Sequence, residues 1–374
     1  MKLIFFSFLI FTLKSFGQQE TDVVFYSIED ALVNPAIVKS INLSGQNLTK
    51  LPSDIIKFTN LESIDIGSNS DLDLTQAFDI LKQIGSLKIL LLTNGKIKTI
   101  PDNISQLKNL EELWLDDNKL MSFPEPVKQL KHLKYLRLFS NRIKSINFKK
   151  DELPDLIYID LCYNDFETFP IELANLSNLK RIVIWYNSIN RIPAGISNFK
   201  QIEEINLEHN HLHSLPEQLG QLKSLQKLSV RGNRLTENGI NVIFQLYKLR
   251  QLDLQDNNIA VLSKKVQNLK ELEQLSLSDN PLKDLPEELE QVKTLQQLGL
   301  GDLHSLNWPK AFSIMEKLPN LRRVGMYSMK LQTMPLGFNK LQQVDTFWLT
   351  YNLFDDNERK RIVQMVPKAK IDFD

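Results

Sequence analysis

The segment LEELWLDDNKL, residues 110–120, decides the fold because its pattern recurs 23 residues later as LKYLRLFSNRI, residues 133–143. Both segments place apolar side chains at positions 1, 4, 6 and 11, and asparagine at position 9. Two further copies follow at the same spacing, beginning at Leu156 and Leu179. Self-similarity at this period indicates an array of structural repeats, in which each copy is stabilised by its neighbours.

The same pattern extends over most of the chain. Fourteen copies begin at Val38, Leu61, Leu87, Leu110, Leu133, Leu156, Leu179, Ile202, Leu225, Leu249, Leu272, Leu295, Leu321 and Val344. Ten of these copies carry asparagine at position 9. Three copies are longer than 23 residues, and their second halves read as helical segments at 75–84, 238–247 and 309–317. The copy at Leu295 also lacks the asparagine, and we therefore expect local irregularity there.

Each position that recurs from copy to copy has a physical explanation. Apolar residues at positions 4 and 6 alternate with polar ones, which predicts a short strand with one buried face. The asparagine lies where the chain leaves the strand, and its amide can both donate to and accept from buried backbone groups. Many copies then contain an apolar residue followed by proline, such as Leu51-Pro52 and Ile100-Pro101, and proline cannot continue a strand ladder.

These motifs resemble the leucine-rich-repeat family, and specifically its 23-residue class with a Leu-Pro step. Within that class, the sequence resembles bacterial exported repeat proteins and the Ras-group-related repeat proteins. The resemblance covers about 335 residues, from Val38 to the end of the sequence. It implies an α/β fold: a curved solenoid with a parallel sheet of about fourteen short strands on the concave side, and turns and short helices on the convex side. Such motifs are specific for fold and hardly specific for function.

The first seventeen residues have the layout of a secretory signal peptide. Lys2 precedes an apolar run from Leu3 to Leu13, and small residues at Ser15 and Gly17 precede a polar segment. We expect cleavage near Gly17 and a secreted, periplasmic or cell-surface protein. The apolar run is too short to span a bilayer, so we expect no membrane insertion of the mature chain. The alternative is that the segment is not a signal and the protein is cytoplasmic.

The sequence predicts four segments in chain order. The signal peptide occupies 1–17, an N-terminal cap 18–37, the fourteen repeats 38–354, and a C-terminal cap 355–374. A short helix beginning after Ser27 is predicted in the first cap, and a helix from Glu358 to Met365 followed by a strand at 371–373 in the second. Because both ends of the array are covered, we expect no second domain. We also expect a monomer.

Composition argues against several classes of function. Lys and Arg number 45, and Asp and Glu also number 45, so no net charge attracts nucleic acid. The single cysteine, Cys162, excludes an internal disulfide, and no histidine is expected beside it to activate it as a nucleophile. The alternating His209, His211 and His213 lie on a turn of one repeat. We therefore predict a protein that is not an enzyme and has no cofactor and no metal.

Aromatic residues are concentrated on the exposed side of the predicted strands. Once positions 4 and 6 are buried, positions 3, 5 and 7 face solvent, with 2 and 8 beside them. The chain has 4 Trp and 8 Tyr, and nine of these twelve occupy the five positions, where chance would place about two. Strands favour aromatic residues, which explains some enrichment but not its restriction to a few adjacent copies.

These residues define the predicted ligand site. An in-register stack places Tyr135 beside Tyr158 and Tyr163 beside Tyr186, with charged groups such as Asp116 nearby. The predicted ligand-binding residues are Trp114, Tyr135, Arg137, Phe139, Tyr158, Asp160, Tyr163, Arg181, Trp185 and Tyr186, and a second candidate patch comprises Tyr327, Trp348 and Tyr351. Exposed apolar patches usually mark interaction sites. We therefore expect a recognition protein that binds a protein, a peptide or a glycan, the alternative being an intracellular signalling scaffold of the Ras-group kind.

Overall fold

A computed structural model describes residues 23–374. The predicted signal peptide, 1–17, and the first residues of the predicted N-terminal cap, 18–22, lie outside this range. The chain divides into two compact units, the first ending at Asn187 and the second running from Ser188 to Asp374. Among residues 23–374, no helix is both long enough and apolar enough to cross a membrane.

Unit 1 consists of short parallel strands separated by turns and short helices. Its strands are β1 (Val24–Phe25), β2 (Ser40–Asn42), β3 (Ser63–Asp65), β4 (Ile89–Leu91), β5 (Glu112–Trp114), β6 (Tyr135–Arg137), β7 (Tyr158–Asp160) and β8 (Arg181–Val183). Each strand pairs with the next along the chain, and like positions lie in register: Leu113 is opposite Leu136, which is opposite Ile159. These three side chains are fully buried, which confirms the predicted inward face.

Unit 2 repeats this arrangement. Its strands are β9 (Glu204–Asn206), β10 (Lys227–Ser229), β11 (Gln251–Asp253), β12 (Gln274–Ser276), β13 (Gln297–Gly299), β14 (Arg323–Gly325), β15 (Thr346–Trp348) and β16 (Lys370–Asp372). All fourteen predicted repeat strands are present in the two units. The other two strands are β16, which the sequence indicated, and β1, whose two residues were too short to show an alternating pattern.

Helical segments occupy the half of each copy opposite the strand. The α-helices are α1 (Ile28–Leu32), α2 (Leu74–Leu81), α3 (Trp308–Met315) and α4 (Asp356–Met365). Single-turn 3-10 helices lie at Pro35–Ile37, Ser53–Lys57, Asp102–Gln106, Glu125–Gln129, Ile171–Asn175, Ala194–Asn198, Glu217–Gln221, Asn241–Gln245, Lys264–Asn268, Glu287–Gln291 and Phe338–Lys340. Two of the three long copies contain α-helices, α2 and α3, as predicted. The third has only the 3-10 helix Asn241–Gln245, because one extra residue cannot accommodate a longer helix.

The position-9 asparagines connect neighbouring copies through the backbone. The Nδ2 of Asn164 donates to the carbonyls of Leu138, Leu161 and Cys162 at 2.9, 3.2 and 3.1 Å. Its Oδ1 accepts from the backbone N–H of Ile143 at 2.9 Å. Asn164 is buried, so no solvent competes for these four bonds. One amide thus satisfies backbone groups of its own copy and of the copy before it, as the sequence predicted.

The residue at position 8 adopts a left-handed backbone conformation in all fourteen copies. These residues are Gly45, Ser68, Asn94, Asp117, Ser140, Tyr163, Tyr186, His209, Gly232, Asp256, Asp279, Asp302, Ser328 and Tyr351. Glycine, aspartate and asparagine tolerate this conformation, whereas other side chains meet the following carbonyl and lose about 1–2 kcal/mol. Position 8 is therefore a turn position at which serine, histidine and tyrosine all carry a conformational cost.

Candidate functional site

Four aromatic rings from three neighbouring copies contact one another on the face of the unit 1 sheet opposite the core. We call Phe139, Tyr163, Trp185 and Tyr186 the ring cluster. Tyr163 stacks on Tyr186 with ring centroids 4.6 Å apart and planes inclined by 16°. Trp185 meets both tyrosines edge-on, at 5.0 and 5.2 Å, and Phe139 meets Tyr163 edge-on at 5.1 Å. The predicted neighbours Tyr163 and Tyr186 are therefore confirmed as a contacting pair.

The ring cluster covers smaller side chains that the sequence analysis placed in solvent. Tyr158, Cys162 and Val183 form a buried group, against which Phe139 and Trp185 pack. The prediction that Tyr158, Asp160 and Cys162 are exposed is wrong: their exposed fractions are 2%, 7% and 0%. Because like positions are only about 4.8 Å apart, a large ring shields the shorter side chain in the next copy. Cys162 accordingly has no surface from which to act as a nucleophile.

Charged groups lie beside the ring cluster and are held by Trp114. The Arg137 guanidinium lies over the Trp114 ring, 4.3 Å from its centroid, and forms an ion pair of 2.7 Å with Asp116. The indole Nε1 of Trp114 donates to Glu112 at 2.7 Å. Stacking and ion pairing together fix the planar guanidinium, as is usual for arginine at interaction surfaces. Arg137 and Trp114 therefore contribute a rigid polar border to the cluster.

The remaining predicted residues extend this surface on its other side. Tyr135 contacts Tyr158 with centroids 6.4 Å apart, as the register predicted. The Arg181 guanidinium lies 5.4 Å from the centroid of Tyr158. The Tyr158 hydroxyl donates to Asp160 at 3.4 Å, and Asp160 also accepts from the backbone N–H of Cys162 at 3.0 Å. Tyr158 and Asp160 thus support the surface from below, while Tyr135 and Arg181 are partly exposed.

Burial raises the pKa of the carboxyl groups in this region. Asp116 has its pKa raised to about 7, because desolvation outweighs the favourable charge of Arg137 and because Asp160 and Asp117 add negative charge. Burial also raises the pKa of Asp160 and of Glu112 above their ordinary values. The surface therefore changes its charge near neutral pH, by proton uptake at Asp116.

Stability of unit 1 should consequently decrease as the pH rises towards neutrality. Between the unfolded pKa of Asp116, about 4, and its folded pKa of about 7, the folded state holds a proton that the unfolded state has released. The wild type should lose more free energy of unfolding between pH 6 and 8 than Asp116→Asn does, and we expect this difference to be about 1 kcal/mol. Urea unfolding at several pH values, followed by tryptophan fluorescence, measures this. Parallel profiles for the wild type and the variant would contradict the raised pKa.

The second candidate patch lies in unit 2. The Tyr327 ring packs over Gly301 so closely that a Cβ there would lie 2.3 Å from its Cε2, and its hydroxyl donates to Gln255 at 3.4 Å. Tyr351 is 57% exposed and Trp348 is partly exposed on β15. Tyr327 is therefore directed towards polar residues of earlier copies, a placement that the sequence analysis did not predict.

Metal coordination is not indicated in the described part of the chain. No group of three or more histidine, cysteine, aspartate or glutamate residues among residues 23–374 is arranged to hold a metal ion. Burial and the neighbouring Arg231 lower the pKa of His209.

Comparison with known proteins agrees with this architecture. The leucine-rich-repeat family model matches residues 85–143, 177–235 and 243–302. A leucine-rich-repeat protein of Leptospira interrogans is 29% identical, with a TM-score of 0.68 over 94% of this chain and 100% of that one. An internalin from Listeria monocytogenes is 18% identical, with a TM-score of 0.59 over 85% and 82%. The chain has no match among curated proteins.

A plant receptor gives a more distant comparison. The ectodomain of a membrane receptor kinase from Arabidopsis thaliana, solved in complex with CASPARIAN STRIP INTEGRITY FACTOR 2, is 21% identical, with a TM-score of 0.58. The similarity covers 88% of this chain and 49% of the plant chain. Sequence motifs, strand register and these comparisons agree that the chain carries leucine-rich repeats.

Proposed function

We propose that this protein is a non-enzymatic recognition protein of the cell envelope or exterior, and that it binds its ligand on unit 1. The ligand is a protein, a peptide or a glycan, and it contacts the ring cluster together with Trp114, Tyr135, Arg137 and Arg181. Leucine-rich repeats occur in receptor ectodomains such as the plant protein above. The mature chain acts as a monomer, without a cofactor and without inserting into a membrane.

The observation that carries this proposal is the placement of Tyr163 and Tyr186 in the ring cluster, at positions outside the strands. Both have positive φ, 52° and 50°, at the turn position where the neighbouring copies use Ser140 and His209. Strand propensity does not explain rings at these positions, because the residues are not in strands. Ser140 and His209 carry the same conformational cost of about 1–2 kcal/mol, so the turn itself does not favour a ring. Tyr163 is also 42% exposed, so burial in the folded chain does not offset that cost fully.

Charge distribution favours this kind of ligand over a nucleic acid. The chain has no net charge, and Arg137 is already paired with Asp116 while Lys134 is paired with Glu111 at 2.8 Å. Nucleic-acid binding is dominated by unpaired basic groups that neutralise phosphates. Rigid aromatic rings and a stacked arginine are instead the residues that dominate protein interaction surfaces. The intracellular scaffold remains the alternative, and only the location of the protein separates it from the proposal.

Capture experiments test the binding function. Immobilised wild-type protein is compared with Trp185→Ala and with Tyr247→Ala, a control whose side chain is exposed on unit 2. We expect envelope or extracellular components to be retained by the wild type and by the control, and to be lost with Trp185→Ala. Equal retention by all three proteins would remove the ring cluster as the ligand site.

Export is a separate prediction from residues 1–17. The mature protein should begin at Gln18 and should be recovered outside the cytoplasm, because the leader has the length and flanking residues of a cleaved signal. N-terminal sequencing of the protein from each cell fraction measures this. A full-length chain found in the cytoplasm would favour the scaffold function.

A further inference from the structure

Unit 2 carries a buried polar group on the face of its sheet that lies opposite the apolar core. Ser229 on β10 and Asp253 on β11 are directly opposite in the strand register. Their exposed fractions are only 1% and 3%, although position 5 is on the side away from the apolar core. Nearby Gln255 is 6% exposed, and its side-chain oxygen accepts a hydrogen bond from the Tyr327 hydroxyl.

Two atoms of this group lack the partners that buried polar atoms normally have. The Oγ of Ser229 and the Nε of Arg231 are buried and form no hydrogen bond with any residue of the described chain. Buried polar side-chain atoms are paired in the large majority of cases, so two unpaired atoms in one copy require an explanation. Asp253 accepts from the backbone N–H of Gln255 at 2.9 Å and faces the Ser276 hydroxyl, and its carboxyl group has further lone pairs.

The mixture of charges restricts what could complete these bonds. Arg231 makes the local electrostatic potential more positive, whereas Glu208 and Asp253 make it more negative. All three residues act on the same small region. An anionic ligand would face two carboxyl groups beside a single guanidinium. A cationic ligand would be repelled by Arg231 and could not accept from its Nε–H. A neutral ligand whose groups both donate and accept avoids both conflicts, and hydroxyl groups have that property.

We propose that Ser229, Arg231, Asp253, Gln255 and Tyr327 form a subsite for a neutral saccharide residue. Sugar hydroxyls accept from the Nε of Arg231, donate to the carboxyl of Asp253, and do either with the Oγ of Ser229. The partly exposed Tyr327 ring, supported on Gly301, supplies an apolar wall for the C–H groups of the sugar. This subsite is distinct from the ring cluster, and it does not depend on the function proposed for unit 1.

A glycan array with the full-length mature chain tests the proposal. The array carries neutral glycans alongside sialylated and sulfated ones, and the best neutral binder is then titrated by calorimetry. Arg231→Ala is compared with Arg234→Ala, which changes an exposed arginine of the same copy. Ser229→Ala and Tyr327→Phe each remove one hydroxyl and serve if Arg231→Ala fails to fold. Thermal melting of every variant establishes that it is folded.

The expected result is binding of at least one neutral glycan by the wild type. Affinity should fall at least about tenfold in Arg231→Ala and in Ser229→Ala, and remain unchanged in Arg234→Ala and in Trp185→Ala. Binding only to charged glycans would identify Arg231 as an anion site and overturn the proposal. It is equally overturned if no glycan binds, if folded Ser229→Ala binds as the wild type does, or if Trp185→Ala abolishes binding.

Discussion

Asn164→Ala lowers the free energy of unfolding of unit 1 by about 3 kcal/mol, the upper end of the range for one unsatisfied buried polar group. The reason is that four bonds are lost together: one from the Ile143 N–H and three to carbonyl groups, all with buried Asn164. Alanine leaves a small space that solvent does not reach easily. Chemical denaturation followed by circular dichroism measures the change.

A matched control separates this effect from the general cost of replacing asparagine. Asn109 is exposed and donates a single bond of 2.8 Å, to the carbonyl of Gly85. We expect Asn109→Ala to cost less than about 1 kcal/mol, because water replaces that bond. Equal destabilisation by the two variants, or none by Asn164→Ala, would show that the buried backbone groups do not depend on the repeat asparagine for their hydrogen bonds.

Trp185→Ala should weaken ligand binding by about thirtyfold, the effect of truncating a hot-spot residue worth about 2 kcal/mol. Trp185 contacts all three other rings of the cluster, at 5.0, 5.2 and 6.0 Å, so its loss also frees its neighbours to move. Titration of a captured ligand by calorimetry gives the affinity, and Tyr247→Ala should bind like the wild type.

The structure changes what to expect for the stability of this variant. An exposed tryptophan could be removed without effect, but Trp185 packs against the buried group that contains Cys162 and Val183. We expect a loss of about 1–2 kcal/mol from the missing ring contacts. The protein should nevertheless remain folded, since the apolar core on the other face of the sheet is untouched. An unfolded variant would make Trp185 a structural residue, and a folded one with full affinity would move the search to Trp348 and Tyr351.

Strand positions and register were predictable because they depend on a short local rule. Leu113, Leu136 and Ile159 each satisfy the same pattern, and a repeat step of 23 residues brings them opposite one another without further information. The ring neighbours Tyr163 and Tyr186 followed from the same register. Long-range topology, usually the hardest feature to infer, is here a consequence of sequence periodicity.

Exposure was not predictable in the same way, because it depends on the relative size of neighbouring side chains. Alternation shows that Asp160 and Cys162 point away from the core, but only the structure shows that larger neighbours cover them. The same reason hid the polar group around Ser229 and Asp253, which looked like an ordinary exposed stretch of polar residues. A small residue at a position where the neighbouring copies have large ones is the sequence signal that would have indicated such shielded positions.

The asparagine bonds give unit 1 a direction. The Oδ1 of Asn141 accepts from Leu120, that of Asn164 from Ile143, and that of Asn187 from Phe166, so in each case the amide proton belongs to the preceding copy. Hydrogen exchange at any one of these amides therefore reports on the integrity of the copy that follows it. Each of these bonds joins two copies, so opening of either copy leaves a buried polar group of the other unpaired.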